Sequence, residues 1–185
     1  MLDNGPLSNF GQLWKRLFTT QYFLLLQFDI GKKILKPEKY KDVVLIQLKE
    51  QIDKNQLILY AYCVMDNHIH IIWQVKGDIE PPEVQKQFLE GCSKHIKAHL
   101  ELHHPNVLPF FKSSQKDRRY HFWKRCAKSK ELYDDDIFEQ KLDYIHHNPV
   151  KAGLCNLPEE SLYSSAGYYE MGSELREGIL THYRG

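Results

Sequence analysis

The stretch Ala61-Tyr-Cys-Val-Met-Asp-Asn-His-Ile-His-Ile-Ile-Trp-Gln-Val75 reads as two strands joined by a tight turn at Asp66-Asn67. Alternate residues of an extended strand share a face. His68 and His70 therefore point the same way, roughly 7 Å apart along the chain. Ile69, Ile71 and Trp73 point into the opposite layer. Two imidazoles on one rigid face can both reach a single divalent cation. The spacing equally suits core or solvated histidines, and it names no metal, so a second element has to decide.

Upstream of this hairpin, Thr19–Asp29 is rich in aliphatic and aromatic residues and reads as a first strand. Residues 1–18 carry Phe10, Leu13, Trp14 and Leu17 at near-helical spacing, which fits a short helix or a clamp on the core. A helix follows from about Pro37 to Lys54, with Tyr40, Val44, Leu48 and Ile52 as its buried stripe. Downstream, Pro81-Pro82 opens a second helix running to about Leu100, with Val84, Phe88, Cys92, Ile96 and Leu100 facing inward. His95, His99 and His103 recur along it, but Lys94 and Lys97 sit beside them and no carboxylate joins the row. That row reads as an exposed basic face.

A polar loop leads to a fourth strand near Tyr120–Ala127. Asp134-Asp135-Asp136 then supplies an N-cap and favourable negative charge for a third helix. Phe138, Leu142 and Ile145 form its stripe, and Asn148-Pro149 ends it, with Gly153 closing the turn beyond. The order strand, helix, strand, strand, helix, strand, helix predicts an α/β (α+β) ferredoxin-like sandwich. Its antiparallel four-stranded sheet carries helices on one face. Residues 1–185 form one domain, with a core over about 19–154 and a C-terminal extension over about 155–185.

The 185 residues are enough for one well-buried core, and 42% hydrophobic content excludes a disordered chain. The longest apolar run, Phe23-Leu24-Leu25-Leu26, is far short of a membrane span, and no secretory signal is visible. Cys63, Cys92, Cys126 and Cys155 lack any C-x-x-C pair and read as reduced thiols of a cytoplasmic protein. The net charge of +1 hides a local excess. Lys112, Lys116, Arg118, Arg119, Lys124, Arg125, Lys128 and Lys130 are opposed only by Asp117, with Tyr120, Phe122 and Trp123 among them. A basic track with interleaved aromatics suits single-stranded nucleic acid, with Trp123 as a stacking residue. It also suits a solvated loop.

On the third helix Tyr144 and Asn148 are four residues apart, about 40° around the axis, and so share a face. Tyr144 lies off the Leu142 stripe. An amphipathic tyrosine at a sheet edge would explain that placement too.

Together these residues resemble a known family. His68-Ile69-His70 in its setting is similar to the His–hydrophobe–His (HUH) motif of single-tyrosine transposases. Asp143-Tyr-Ile-His-His-Asn-Pro-Val-Lys-Ala-Gly-Leu154, followed by Tyr163-Ser-Ser-Ala166, resembles the tyrosine helix and exit segment of one branch, the REP-associated tyrosine transposases. The likeness covers roughly residues 19 to 170.

The resemblance implies that His68 and His70 are metal ligands, that Tyr144 is the nucleophile and that Asn148 is the third ligand. His147 is a substitute or auxiliary contact, and either His147 or Lys141 would help with the proton of Tyr144, whose free pKa is about 10. The implied cofactor is a divalent cation, Mg²⁺ or Mn²⁺. The implied reaction is nicking and strand transfer of single-stranded DNA at hairpin-associated sites, through a 5′-phosphotyrosine intermediate. Lys112, Lys116, Arg118, Arg119, Trp123, Lys124 and Arg125 would hold the strand. The expected setting is the cytoplasm, in association with the nucleoid, with single-stranded or hairpin DNA as partner and no membrane, and with monomer and homodimer both open. A domesticated, non-catalytic hairpin-binding protein on the same fold is the alternative. A small-substrate metallohydrolase would leave Tyr144 and the basic track without a use.

Overall fold

A computed structural model describes residues 20–28, 33–113, 115, 119–124, 128–172 and 178–184. The strands are β1 (Gln21–Gln27), β2 (Leu57–Val64), β3 (His68–Val75) and β4 (Lys128–Leu132). The helices are α1 (Glu38–Asp53), α2 (Pro81–His103), α3 (Asp135–Lys151) and α4 (Ala166–Met171). The four strands form one antiparallel sheet in the order β2-β3-β1-β4. This is the α+β, ferredoxin-like arrangement that the order of elements predicts. The N-terminal segment up to residue 19 lies outside the described residues.

The β2–β3 hairpin turns at Asp66-Asn67, with the Met65 N–H donating to the His68 carbonyl at 2.9 Å. Strand register then places His70 opposite Cys63 on β2 and opposite Leu25 on β1, and His68 opposite Gln27. The histidines thus sit on a central strand, clamped from both sides.

Strand alternation divides the core into two layers. Leu24, Leu26, Leu59, Ile69, Ile71 and Trp73 pack with Val44 and Leu48 of α1 and with Phe88 and Ile96 of α2. Phe23, Ala61, Cys63 and Ile72 face the other way and pack with Phe138, Leu142 and Ile145 of α3. The expectation of helices on one face therefore needs correction: α1 and α2 cover one face and α3 the other. An apolar stripe on a helix says that it packs, not on which side. Here the second face presents Phe23 and Ile72, which α3 shields from water.

The N-terminus of α3 is capped as expected. Asp134 Oδ1 accepts from the backbone N–H of Asp136 at 2.7 Å and of Ile137 at 3.3 Å. Its C-terminus differs from expectation, because the helix continues through Pro149 to Lys151. Pro149 cannot donate to the Ile145 carbonyl, but only Val150 and Lys151 follow it in the helix, so little of the ladder lies beyond the interruption. The stop comes at Gly153, at φ 68°, where Gly153 N–H donates to Val150 O and Leu154 N–H to Pro149 O, both at 2.9 Å.

The fourth strand also moves. Tyr120–Lys124 makes only isolated bridges, Lys112 with Tyr120 and Phe28 with Trp123. Phe122 and Trp123 are both buried although consecutive, which a half-exposed strand does not allow. The strand is instead the polar Lys128–Leu132, an edge whose charges oppose further pairing. The other edge is covered by the C-terminal extension: Val64 N–H donates to Tyr163 O, Ser165 N–H to Tyr62 O and Thr181 N–H to Leu59 O.

Candidate active site

His68 and His70 share a face of β3, with ring centroids 4.8 Å apart. His68 is half-buried, and its Nδ1 is bonded to Asn67 Oδ1 at 2.7 Å. A ring whose Nδ1 donates in this way presents the lone pair of Nε2. His70 is 1% exposed and lies against Phe23, with centroids 5.8 Å apart and planes at 20°. Neither of its ring nitrogens has a hydrogen-bond partner of acceptable geometry. Burial pushes His70 down to about 3, and the neighbouring His68 adds to the shift. The Asn148 amide is close enough to offset part of it. Burial lowers His68 as well. Both imidazoles are therefore neutral at pH 7, the form that binds a cation.

Helix α3 brings Tyr144 to this pair. Its ring is edge-on to His70 at 5.3 Å and to Phe23 at 6.1 Å. It remains 40% exposed, so the nucleophile expected from the sequence is neither packed away nor remote from the histidines. Lys141 Nζ lies 5.6 Å from the Tyr144 ring centroid, and Lys151 Nζ lies 5.5 Å from it. Asn148, one turn on, donates from Nδ2 to the Tyr144 carbonyl at 2.5 Å, which leaves its Oδ1 free of that bond. His147 is exposed and bonded through Nδ1 to the Asp143 carbonyl of its own helix. The structure thus unites His68, His70, Tyr144, Asn148 and Lys141, while His147 has no contact with the histidine pair.

Sequence reasoning passed over three neighbours. Asn67 was legible as the residue beside His68, and Lys151 as one seven positions from Tyr144 on the same helical face. Phe23 carried no local signal, because only the β1–β3 register brings it to His70. Away from the site, on the buried side of the same helix, His146 is 4% exposed, its Nε2 bonded to Ser165 Oγ at 2.8 Å, and burial pushes it down to about 4.

The donor set can be tested for a cation. Among the described residues no group of three His, Cys, Asp or Glu side chains converges. The set is two imidazoles and one amide, leaving several positions open. The two orphaned nitrogens of buried His70 call for a partner, and Asn67 orients His68 as outer-sphere groups orient ligands. These residues fit a divalent cation that tolerates nitrogen, Mn²⁺ more readily than Mg²⁺.

The basic track is only partly described. Lys112, Arg119 and Lys124 are exposed, whereas Lys116, Arg118 and Arg125 lie outside the described residues. Trp123 corrects its assignment as a stacking residue. It is 6% exposed, packed on Phe28 at 3.9 Å, with its indole N–H bonded to Ser93 Oγ at 2.9 Å. It is a core residue, and no helix among the described residues is long and apolar enough to cross a membrane.

No protein-family model matches the chain. A curated Haemophilus influenzae protein, "Putative REP-associated tyrosine transposase", is 30% identical over 110 residues, covering 57% of this chain and 56% of the relative. The chain thus matches little more than half the length of that relative. A solved REP-associated tyrosine transposase bound to a REP hairpin superposes with a TM-score of 0.62 at 13% identity, over 88% of this chain and 82% of that one. A second solved structure, a "putative transposase" from Deinococcus radiodurans, gives a TM-score of 0.45 at 17% identity, over 69% of this chain and 88% of its own. The resemblance of this chain to the REP-associated tyrosine transposases, first read from His68, His70 and the string Asp143–Leu154, is thereby met in a curated relative, and its fold in a solved member of that group.

Proposed function

We propose that the chain is a DNA nicking and strand-transfer enzyme acting on single-stranded DNA beside hairpins, with Tyr144 as nucleophile. His68, His70 and Asn148 would hold a divalent cation. One observation carries this reading: a neutral, buried His70 with two unpartnered nitrogens lies beside His68, with the accessible ring of Tyr144 edge-on to it. The likeness to a transposase solved with a hairpin supports the choice of DNA.

A phosphodiester is anionic and repels nucleophiles. When bound, the cation offsets charge that builds on a non-bridging phosphate oxygen. Lys141 and Lys151 add positive field beside the nucleophile. The Tyr144 oxygen attacks phosphorus in line and gives up its proton to solvent or to a base. The new O–P bond forms as the bond to the 3′ oxygen breaks, and that oxygen leaves with the electron pair and takes up a proton. One phosphodiester replaces another, so attack by a second 3′-hydroxyl rejoins DNA and frees Tyr144 without an external energy source. All the named groups come from one chain, so a second copy is not needed to complete the site. Lys112, Arg119 and Lys124, with Lys116, Arg118 and Arg125, would bind the DNA backbone.

The test is a denaturing gel of the full chain incubated with Mn²⁺ and a labelled pool of hairpins bearing single-stranded flanks. A covalent band in the wild type that vanishes in Tyr144→Phe supports the reading. Retarded DNA on a native gel with no covalent band would favour the non-catalytic hairpin-binding alternative.

A further inference from the structure

A cavity of about 660 Å³ opens between α2 and the segment Arg119–Lys124. It lies on the α1–α2 side of the sheet, away from Tyr144. Its volume is within the range of ligand pockets, about 300–1,000 Å³. Among the described residues five cations line it, Lys86, Lys94, Lys97, Arg119 and Lys124, against one acid, Glu90. Lys86 and Lys97 are paired along the helix with Glu83 and Glu101, each at 3.3 Å, in exposed bridges that a phosphate can displace. Two cations stand near the Tyr120 ring, Lys97 Nζ at 5.7 Å and the Arg119 guanidinium at 5.4 Å from its centroid. An aromatic face set among cations suits a single nucleotide, whose base stacks while its phosphates meet the charges.

The cavity is not isolated from the tyrosine face. Lys124, which lines it, donates its backbone N–H to the Gln27 carbonyl at 2.7 Å and its Nζ to Gln27 Oε1 at 3.0 Å. Gln27 is the cross-strand partner of His68, and strand alternation puts its side chain on the histidine face. The ammonium of Lys124 therefore stands where the end of β1 joins the two sides of the sheet.

From this geometry we propose that the α2–Tyr120 cavity is a second DNA subsite, taking an unpaired nucleotide of a single strand that runs over Lys124 to the His68 face. The inference rests on the DNA reading above and adds Lys94, Lys97 and Tyr120 to the residues that hold the strand. It requires single-stranded DNA, because a base held in a stacked duplex cannot enter a pocket.

The test is fluorescence anisotropy of the full chain with labelled (dT)20 and, separately, a blunt duplex of the same length. In Lys94→Glu/Lys97→Glu, affinity for (dT)20 falls about tenfold while duplex binding is nearly unchanged. Tyr120→Leu, which alters no charge, also weakens (dT)20 binding and leaves its salt dependence in place. Equal losses on both probes, or no loss on either, overturn the subsite. Wild-type protein that forms the covalent hairpin adduct while both variants bind (dT)20 normally overturns the cavity alone. Wild-type protein that binds neither probe and forms no adduct overturns the DNA reading together with the cavity.

Discussion

The ring of Tyr144 stands edge-on to the imidazole of His70, with centroids 5.3 Å apart and planes at 87°. This relationship exists because α3 covers the sheet face that carries the histidines. Its stripe of Phe138, Leu142 and Ile145 is buried in that face, which rotates Tyr144 to the rim of the contact. The phenol is therefore held beside the imidazoles and is still reachable from solvent.

Asn67 should matter out of proportion to its exposure. Its Oδ1 fixes the Nδ1 of His68 at 2.7 Å, and outer groups of this kind are worth about 10–100-fold in metal affinity. Asn67→Ala is expected to weaken Mn²⁺ binding, measured by calorimetry without DNA, by a factor in that range, with His68→Ala and His70→Ala at least as severe. Unchanged Mn²⁺ affinity in all three variants would remove the histidine pair from the metal site.

Two buried histidines predict acid sensitivity. Burial holds His70 at about 3 and His146 at about 4, while an unfolded histidine titrates near 6.5. Below about pH 6.5 the unfolded chain takes up protons that the folded chain refuses, so stability falls with pH until the folded values are reached. Metal-free urea unfolding should show full stability above about pH 6.5 and a steady loss towards pH 4. His146→Gln, which can still bond Ser165, should flatten that slope. A wild-type profile that stays level between pH 6.5 and 4 would contradict the assignment.

Ser165 ties three elements together. Its Oγ accepts from Tyr62 N–H at 3.0 Å and bonds His146 Nε2 at 2.8 Å, in a fully buried setting. Ser165→Ala orphans both partners and should cost about 1–3 kcal/mol in urea unfolding. In combination with His146→Ala the losses should be less than additive, because the same contact is removed twice. Strict additivity would mean that the pair is not coupled.

Much of the site was legible because strand and helix periods are short and rigid. His68 and His70 had to share a face once β3 was recognised, and Tyr144 and Asn148 had to share one on α3. Their meeting was not legible from the residues alone, since it depends on which side of the sheet α3 chooses. The resemblance supplied that link. The basic segment misled for a physical reason. Aromatics among charges read as exposed, yet Phe122 and Trp123 turn inward against Phe111 and Phe28, at centroid distances of 4.7 and 3.9 Å. The true edge strand, Lys-Ser-Lys-Glu-Leu over 128–132, lacks the apolar alternation that marks a strand, because its pairing with β1 is specified by its neighbour. Pro149 looked like a helix end, but a Gly153 cap one turn later was the stronger stop.

The placement of the phenol beside the imidazoles is tested most directly by locating the DNA on the protein. Wild-type chain is incubated with Mn²⁺ and single-stranded DNA carrying a hairpin, digested with nuclease and protease, and its peptides are weighed by mass spectrometry. A nucleotide 5′-phosphate on Tyr144, absent when the cation is chelated and sharply reduced in His70→Ala, is the predicted result. A nucleotide on any other residue, or a Tyr144 adduct that forms equally well in His70→Ala, would contradict it.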